Sequence, residues 1–142
     1  MMLTTRDILD IMSDKRSFGG VYAINRLPLP LMRSPCGVII NLDYSWNPGT
    51  HWVSVFMPKH GPAFYFDPFG GYPPDQVIVF MERNSRYGWK YNEKKVQGDL
   101  SLLCGFYCIE FLRSCPNYNR FFRKFVHCGK RNDVRLRQLM RK

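Results

Sequence analysis

Val96-Gln97-Gly98-Asp99-Leu100-Ser101-Leu102-Leu103-Cys104-Gly105-Phe106-Tyr107-Cys108 is a polar loop that runs directly into an apolar segment with helical spacing. It sets a cysteine at a helix start, with a glutamine amide seven residues upstream. Beyond it Cys104, Cys108, Phe111, Leu112 and Cys115 share one face of a helix that begins near Ser101 and stops at Pro116. A cysteine at a helix N-terminus is favoured as thiolate by the helix dipole, and Ser101 or Asp99 is the expected cap. The Gln97 side-chain amide and the Cys104 backbone N–H would then serve as donors to an oxyanion. This is half of an acyl-transfer site, and the histidine and carboxylate it needs must lie elsewhere in the chain.

Upstream, three strand-like runs stand close together: Cys36 to Leu42, His51 to Phe56 and Ala63 to Phe66. Lys59-His60-Gly61-Pro62 supplies a turn between the last two, which predicts a hairpin. Residue 51 at the start of one strand and residue 67 at the end of its antiparallel neighbour then meet at the open end, so His51 and Asp67 are brought together by hairpin geometry alone. Asp67 would fix the tautomer and orientation of His51, and His51 would activate Cys104. Each residue alone has a plainer reading. His51 beside Trp52 fits a half-buried strand pair, Asp67-Pro68-Phe69-Gly70 fits a turn with its aspartate bonded to its own backbone, and Gln97-Gly98 fits a plain loop. Cys36, Cys108 and Cys115 read as small core residues. The joint order of His, acid, Gln and Cys carries the catalytic reading.

The remaining elements are expected as follows. Thr4 to Met12 is a short amphipathic helix with a threonine cap, Asp7 in its first turn, and Ile8, Ile11 and Met12 on one face. Phe18-Gly19-Gly20 ends that segment, Val21 to Ile24 is extended, and Leu27-Pro28-Leu29-Pro30 excludes regular structure. Pro73-Pro74-Asp75 opens a helix through Arg83, and Trp89 to Val96 is a further strand. The fold class is α+β, a small mixed or antiparallel sheet packed against the helix that starts at Cys104. Residues 1–142 form a single domain with a basic C-terminal segment over 118–142, whose Phe121, Phe122, Phe125 and Val126 pack by one edge.

Composition narrows the function classes. Apolar residues at 45% and aromatics at 15% argue for a packed globular chain. Five cysteines without a repeated short spacing suggest neither a disulfide framework nor a zinc site, and a reducing compartment fits them. Met1 to Lys15 lacks the pattern of a secretory signal, and no run approaches a membrane span. The net charge is +10, of which residues 118–142 hold +8, with nine Lys and Arg against Asp133. Arg120, Arg123, Lys124, Lys130, Arg131, Arg135, Arg137, Arg141 and Lys142 would neutralise phosphates without reading bases, in a salt-dependent contact with DNA. The plainer reading is a solvated basic face.

Three motifs, Gly49-Thr50-His51-Trp52-Val53-Ser54-Val55-Phe56, Ala63-Phe64-Tyr65-Phe66-Asp67-Pro68-Phe69-Gly70, and Val96-Gln97-Gly98 followed by Leu103-Cys104-Gly105-Phe106-Tyr107-Cys108, resemble the adenovirus maturation protease (adenain) family. SUMO-deconjugating proteases share the His, acid, Gln, Cys order, while Pro-Phe-Gly after the acid and Val-Gln-Gly before the cysteine point to the viral branch. The resemblance implies His51 as base or imidazolium partner, Asp67 as orienting acid, Gln97 as oxyanion donor and Cys104 as nucleophile. Asp67 stands where adenain has glutamate. Trp52, Gly19, Gly20 and Gly105 are the expected substrate-groove residues. The implied activity is cleavage of viral capsid and core precursors next to glycine, stimulated by DNA, in a monomer acting in the host nucleus and virion with no metal and no membrane. Adenain takes a short activating peptide through a disulfide to a cysteine between its acid and its glutamine. No cysteine lies between Asp67 and Gln97 here, so any such peptide would bind without that link. Acyl transfer to an acceptor other than water, as in acetyltransferases of a related fold, and a non-enzymatic nucleic-acid-binding role on an inactive scaffold are the alternative readings.

Overall fold

In the computed structural model, which describes residues 2–43, 51–98, 102–127 and 129–141, the central strand β3 (Trp52–Met57) is buried along its whole length. Its side chains still alternate, with Trp52 and Phe56 entering one apolar cluster and Val53, Val55 and Met57 the other. A strand covered on both faces needs apolar residues at nearly every position, which explains the near-continuous run in its sequence.

Strand β2 (Cys36–Asn41) lies antiparallel to β3 on one side, and β4 (Ala63–Phe66) lies antiparallel on the other. Strands β1 (Phe18–Ala23) and β5 (Trp89–Tyr91) add in parallel at the two edges, so the sheet is mixed with order β1-β2-β3-β4-β5. Helices α1 (Thr5–Met12), α3 (Cys104–Ser114), α4 (Asn119–Lys124) and α5 (Lys130–Met140) add residues to the cluster of Trp52, Phe56, Phe64 and Phe66. Helix α2 (Asp75–Asn84) covers the other face through Val77, Phe80 and Met81. The expected α+β architecture is present, and α3 begins at Cys104, later than the start near Ser101 that the helical spacing suggests.

Helix α3 is held against the sheet by aromatic packing. Phe111 stacks on Phe66 with ring centroids 4.7 Å apart, and Phe121 of α4 meets both rings edge-on at 5.0 and 5.6 Å. Offset and edge-to-face pairs of this kind contribute about 0.5–1.5 kcal/mol each beyond the area they bury.

Several expectations need correction. Thr4 does cap α1, in a reciprocal pair with Asp7 (2.9 and 3.1 Å), but only Ile8 and Met12 are buried, while Ile11 is exposed. At 3.6 residues per turn Ile11 lies about 100° from Met12 around the helix axis, which turns it to the rim. Phe18-Gly19-Gly20 is not a break but the start of β1. Gly19 is required there because a Cβ would stand 2.4 Å from Cys36 Sγ, and Gly20 has φ +125° beside a register irregularity. Strand β5 stops at Tyr91, well before Val96, because the following backbone turns toward the loop after β4: Val96 and Gln97 both donate their N–H to Pro68 O, at 2.8 and 3.0 Å. The basic C-terminal segment is two packed helices that bury Phe121, Phe125 and Leu136, while Val126, expected at the packed edge, is exposed.

Candidate active site

The antiparallel register of β3 and β4 sets Ser54 opposite Phe66, so His51, one residue before β3, and Asp67, one residue after β4, emerge at the same end of the sheet. His51 Nε2 lies 3.0 Å from Asp67 Oδ1. The Asp67 carboxylate also accepts the backbone N–H of Phe69 at 2.8 Å and of Gly71 at 3.2 Å. The turn reading of Asp67 thus holds alongside its contact with His51, because the turn's own N–H groups aim the carboxylate at the imidazole.

Asn92, which the sequence does not single out, fixes the backbone of that aspartate. Its side chain accepts from Asp67 N at 2.9 Å and donates to Asp67 O at 2.7 Å, replacing the ladder partner that β5 no longer provides. A polar residue directly after a short aromatic strand is the available signal, but nothing in one sequence separates it from an ordinary loop asparagine.

Cys104, the first residue of α3, is the other group that acts on the His51 ring. Burial works against a charged ring, yet the hydrogen bonds and charges of Asp67 and Cys104 outweigh it and raise the His51 pKa to about 9. These interactions favour the charged ring over the neutral one. Phe69 packs beside the ring, with centroids 5.2 Å apart. Cys108, one turn along α3, has its thiol pushed well above its ordinary value by burial, and Cys115 is pushed to about 12 for the same reason. Of the described cysteines, only Cys104 combines a helix start with an imidazole partner. Leu103 occupies the N-cap position of α3; the expected caps, Ser101 and Asp99, lie outside the described residues.

Gln97 is fully buried, and its backbone is fastened to Pro68, so the glutamine loop and the acid loop form one body. Trp52 is not a groove residue. It is 2% exposed and donates its indole N–H to Leu3 O at 3.1 Å, which ties the N-terminus beneath the site. Gly105 is likewise a packing glycine, since a Cβ there would press at 3.2 Å on both Leu3 and Trp52. Gly19 and Gly20 are displaced from the site by register: Gly20 pairs with Val38, and Val38 with Val55, far along the sheet from His51.

The basic residues divide between two surfaces. Arg120, Arg123, Lys124, Arg131 and Arg135 line a cleft of about 550 Å³ between α4 and α5, together with His127. Arg137 and Arg141 instead border a second hollow of about 370 Å³ with Leu103, Phe106 and Met140. Lys130 is exposed but lines neither of these, and Lys142 lies outside the described residues. No cluster of metal-ligating side chains occurs among the described residues.

Known structures show the same fold. The S273R protease of African swine fever virus superposes with a TM-score of 0.63 at 19% identity over 95% of this chain and 66% of that one. A selenomethionine form of it gives 0.53 at 24% identity over 72% of this chain and 44% of the other. In sequence, the cysteine protease S273R of the virus's Tick/Malawi isolate is 40% identical over 58 residues, 37% of this chain and 21% of that protein. The SUMO-1 cysteine protease S273R of its Pretoriuskop isolate is 37% identical over 59 residues, 37% of this chain and 22% of that protein. The matched segment thus spans about a fifth of these relatives' length. No protein-family model matches the chain. The chain is a homologue of viral proteins named as cysteine proteases, and it has their fold.

Proposed function

We propose that this chain is a viral cysteine endopeptidase working through Cys104, His51 and Asp67, with Gln97 as oxyanion donor. The observation that carries the reading is the His51 ring held 3.0 Å from Asp67 and influenced by Cys104 at the start of α3. In this reading the Cys104 thiolate attacks the scissile carbonyl, and the oxyanion is met by the Gln97 amide and the Cys104 backbone N–H. The His51 imidazolium gives its proton to the departing amine, leaving an acyl group on Cys104. Neutral His51 then takes a proton from water, the hydroxyl adds to the thioester, and collapse expels the thiolate while releasing the acid.

The proposed substrates are viral structural precursors cut next to glycine. Cys104 is only 4% exposed, and a glycine, having no side chain, lets the substrate backbone come closest to such a recessed thiol. Removal of a ubiquitin-like modifier is the second reading, favoured by the name of the relatives called SUMO-1 cysteine protease. DNA is the proposed stimulating polyanion, and the cleft between α4 and α5, where five Lys and Arg side chains converge, is its proposed contact. An activating peptide, if used, binds without a disulfide. The enzyme is proposed to act as a monomer in the virion and host nucleus, where reducing conditions keep its thiols free.

Cys104→Ala should abolish cleavage of a glycine-containing peptide while the folded state and DNA affinity persist. Retained turnover in that variant would remove the assignment.

A further inference from the structure

The lone acid of the basic C-terminal segment faces inward. Asp133, in the first turn of α5, is 6% exposed. Its Oδ1 accepts the backbone N–H of Gly98 at 3.3 Å and the hydroxyl of Tyr107 at 2.5 Å. Beside it Asn132 is fully buried, and its Nδ2 shares its two N–H groups among Val96 O at 3.0 Å, Phe125 O at 3.3 Å and His127 O. The two residues flanking Gln97 are therefore both gripped by consecutive side chains of α5. The grip is tight: a Cβ on Gly98 would stand 2.5 Å from Asp133 Oδ2. Tyr107 belongs to α3, so the same carboxylate joins the glutamine loop to the helix that carries Cys104.

We propose that Asn132 and Asp133 are positioning residues that hold Gln97 in register with Cys104 for oxyanion stabilisation. The inference rests on Gln97 acting as the oxyanion donor. A donor contributes to catalysis only if it is aimed beforehand at the place where charge develops. The two N–H bonds to Pro68 O fix residues 96 and 97 to the acid side of the site. Asp133 holds the loop from the nucleophile side, through Gly98. A carboxylate suits this place because one oxygen accepts from backbone and phenol together, while an aliphatic residue would strand both donors in a buried site.

Two reactions of the full chain separate aim from general damage. Alkylation of Cys104 by iodoacetamide forms a sulfur–carbon bond and expels iodide from a saturated carbon, so it needs the thiolate but no oxyanion hole. Peptide hydrolysis needs both. Asp133→Ala should lower kcat roughly tenfold or more, short of the roughly 10² to 10³ expected for losing the donor itself. KM and the Cys104 alkylation rate should stay near wild type. Asp133→Asn, which keeps an oxygen acceptor, should restore most of kcat. In a Gln97→Ala background Asp133→Ala should cost little more, because residues acting through one another are not additive. An unchanged kcat, a parallel loss of alkylation, or a full additive loss in that background would overturn the inference. Should Asp133→Ala not fold, Gly98→Ala tests the same contact from the other side with Asp133 intact, and full activity there would be equally contrary. If Gln97→Ala itself leaves kcat unchanged, the oxyanion role of Gln97 fails and this inference falls with it. A large loss in Gln97→Ala with none in the Asp133 variants removes this inference alone.

Discussion

The hairpin end of the sheet and the C-terminal helices lie on two sides of the same glutamine loop, yet they are built on different principles. At the hairpin end, local geometry does the positioning: a short turn and an antiparallel register bring His51 and Asp67 to 3.0 Å, and the turn after β4 aims the carboxylate. On the C-terminal side, contacts between residues distant in sequence do it, as Asn132 and Asp133 reach back to Val96 and Gly98. The first kind of assembly survives in any chain that keeps the pattern. The second depends on α4 and α5 being folded in place, so a segment whose charge suggests a mere tail becomes part of the support of the site.

The contrast breaks most directly through Phe121, which is fully buried between Phe66 and Phe111. Phe121→Ala should destabilise the chain by about 3–5 kcal/mol in denaturant unfolding, the usual cost of emptying a buried phenylalanine site. A change below about 1 kcal/mol would return residues 118–142 to the status of a loosely attached tail.

The pH dependence sharpens the other half of the comparison. The folded His51 pKa, about 9, lies above its ordinary value of 6.5, so its contribution to stability is complete below 6.5 and is lost as pH rises through about 9. Peptide hydrolysis should show an alkaline limb in the same region. In Asp67→Asn, which removes the charge and its accepting oxygen's full strength, that limb should move toward neutral pH and thermal stability should fall less between pH 7 and 9. A limb that does not move would separate His51 from Asp67 functionally.

The smallest expected effect belongs to the outer face of the C-terminal helices. Arg123, Arg131 and Arg135 are exposed around one cleft, and their joint replacement by alanine should flatten the slope of log affinity for duplex DNA against log salt by about 0.9 for each phosphate they neutralise. Stability should change by less than about 0.5 kcal/mol per site, as for exposed side chains elsewhere. A slope that is flat already in the unaltered protein would exclude phosphate contact.

What the sequence discloses follows the same division. Hairpins, a helix start at Cys104, the Thr4 cap and the Pro73-Pro74-Asp75 helix opening are local, and spacing and turn residues report them. Trp52 and Gly105 escape such a reading because local pattern shows that an aromatic and a glycine stand near His51 and Cys104 but not which way they face; both are consumed in packing against Leu3. Gly19 and Gly20 escape it because parallel pairing of β1 to β2 fixes their distance from His51, and no local signal sets that register. Asn92, Asn132 and Asp133 act on backbone groups brought near by the fold. One acid among nine cations carries no sign that it is buried.

That Cys104 is the nucleophile, activated by His51, is tested most directly by incubating the protein near pH 7 with a peptide probe ending in an electrophilic glycine, then locating the adduct by mass spectrometry. A single stoichiometric adduct on Cys104, lost in His51→Ala, is the predicted result. Labelling that falls on Cys36, Cys108 or Cys115, or that reaches Cys104 equally fast without His51, would contradict it.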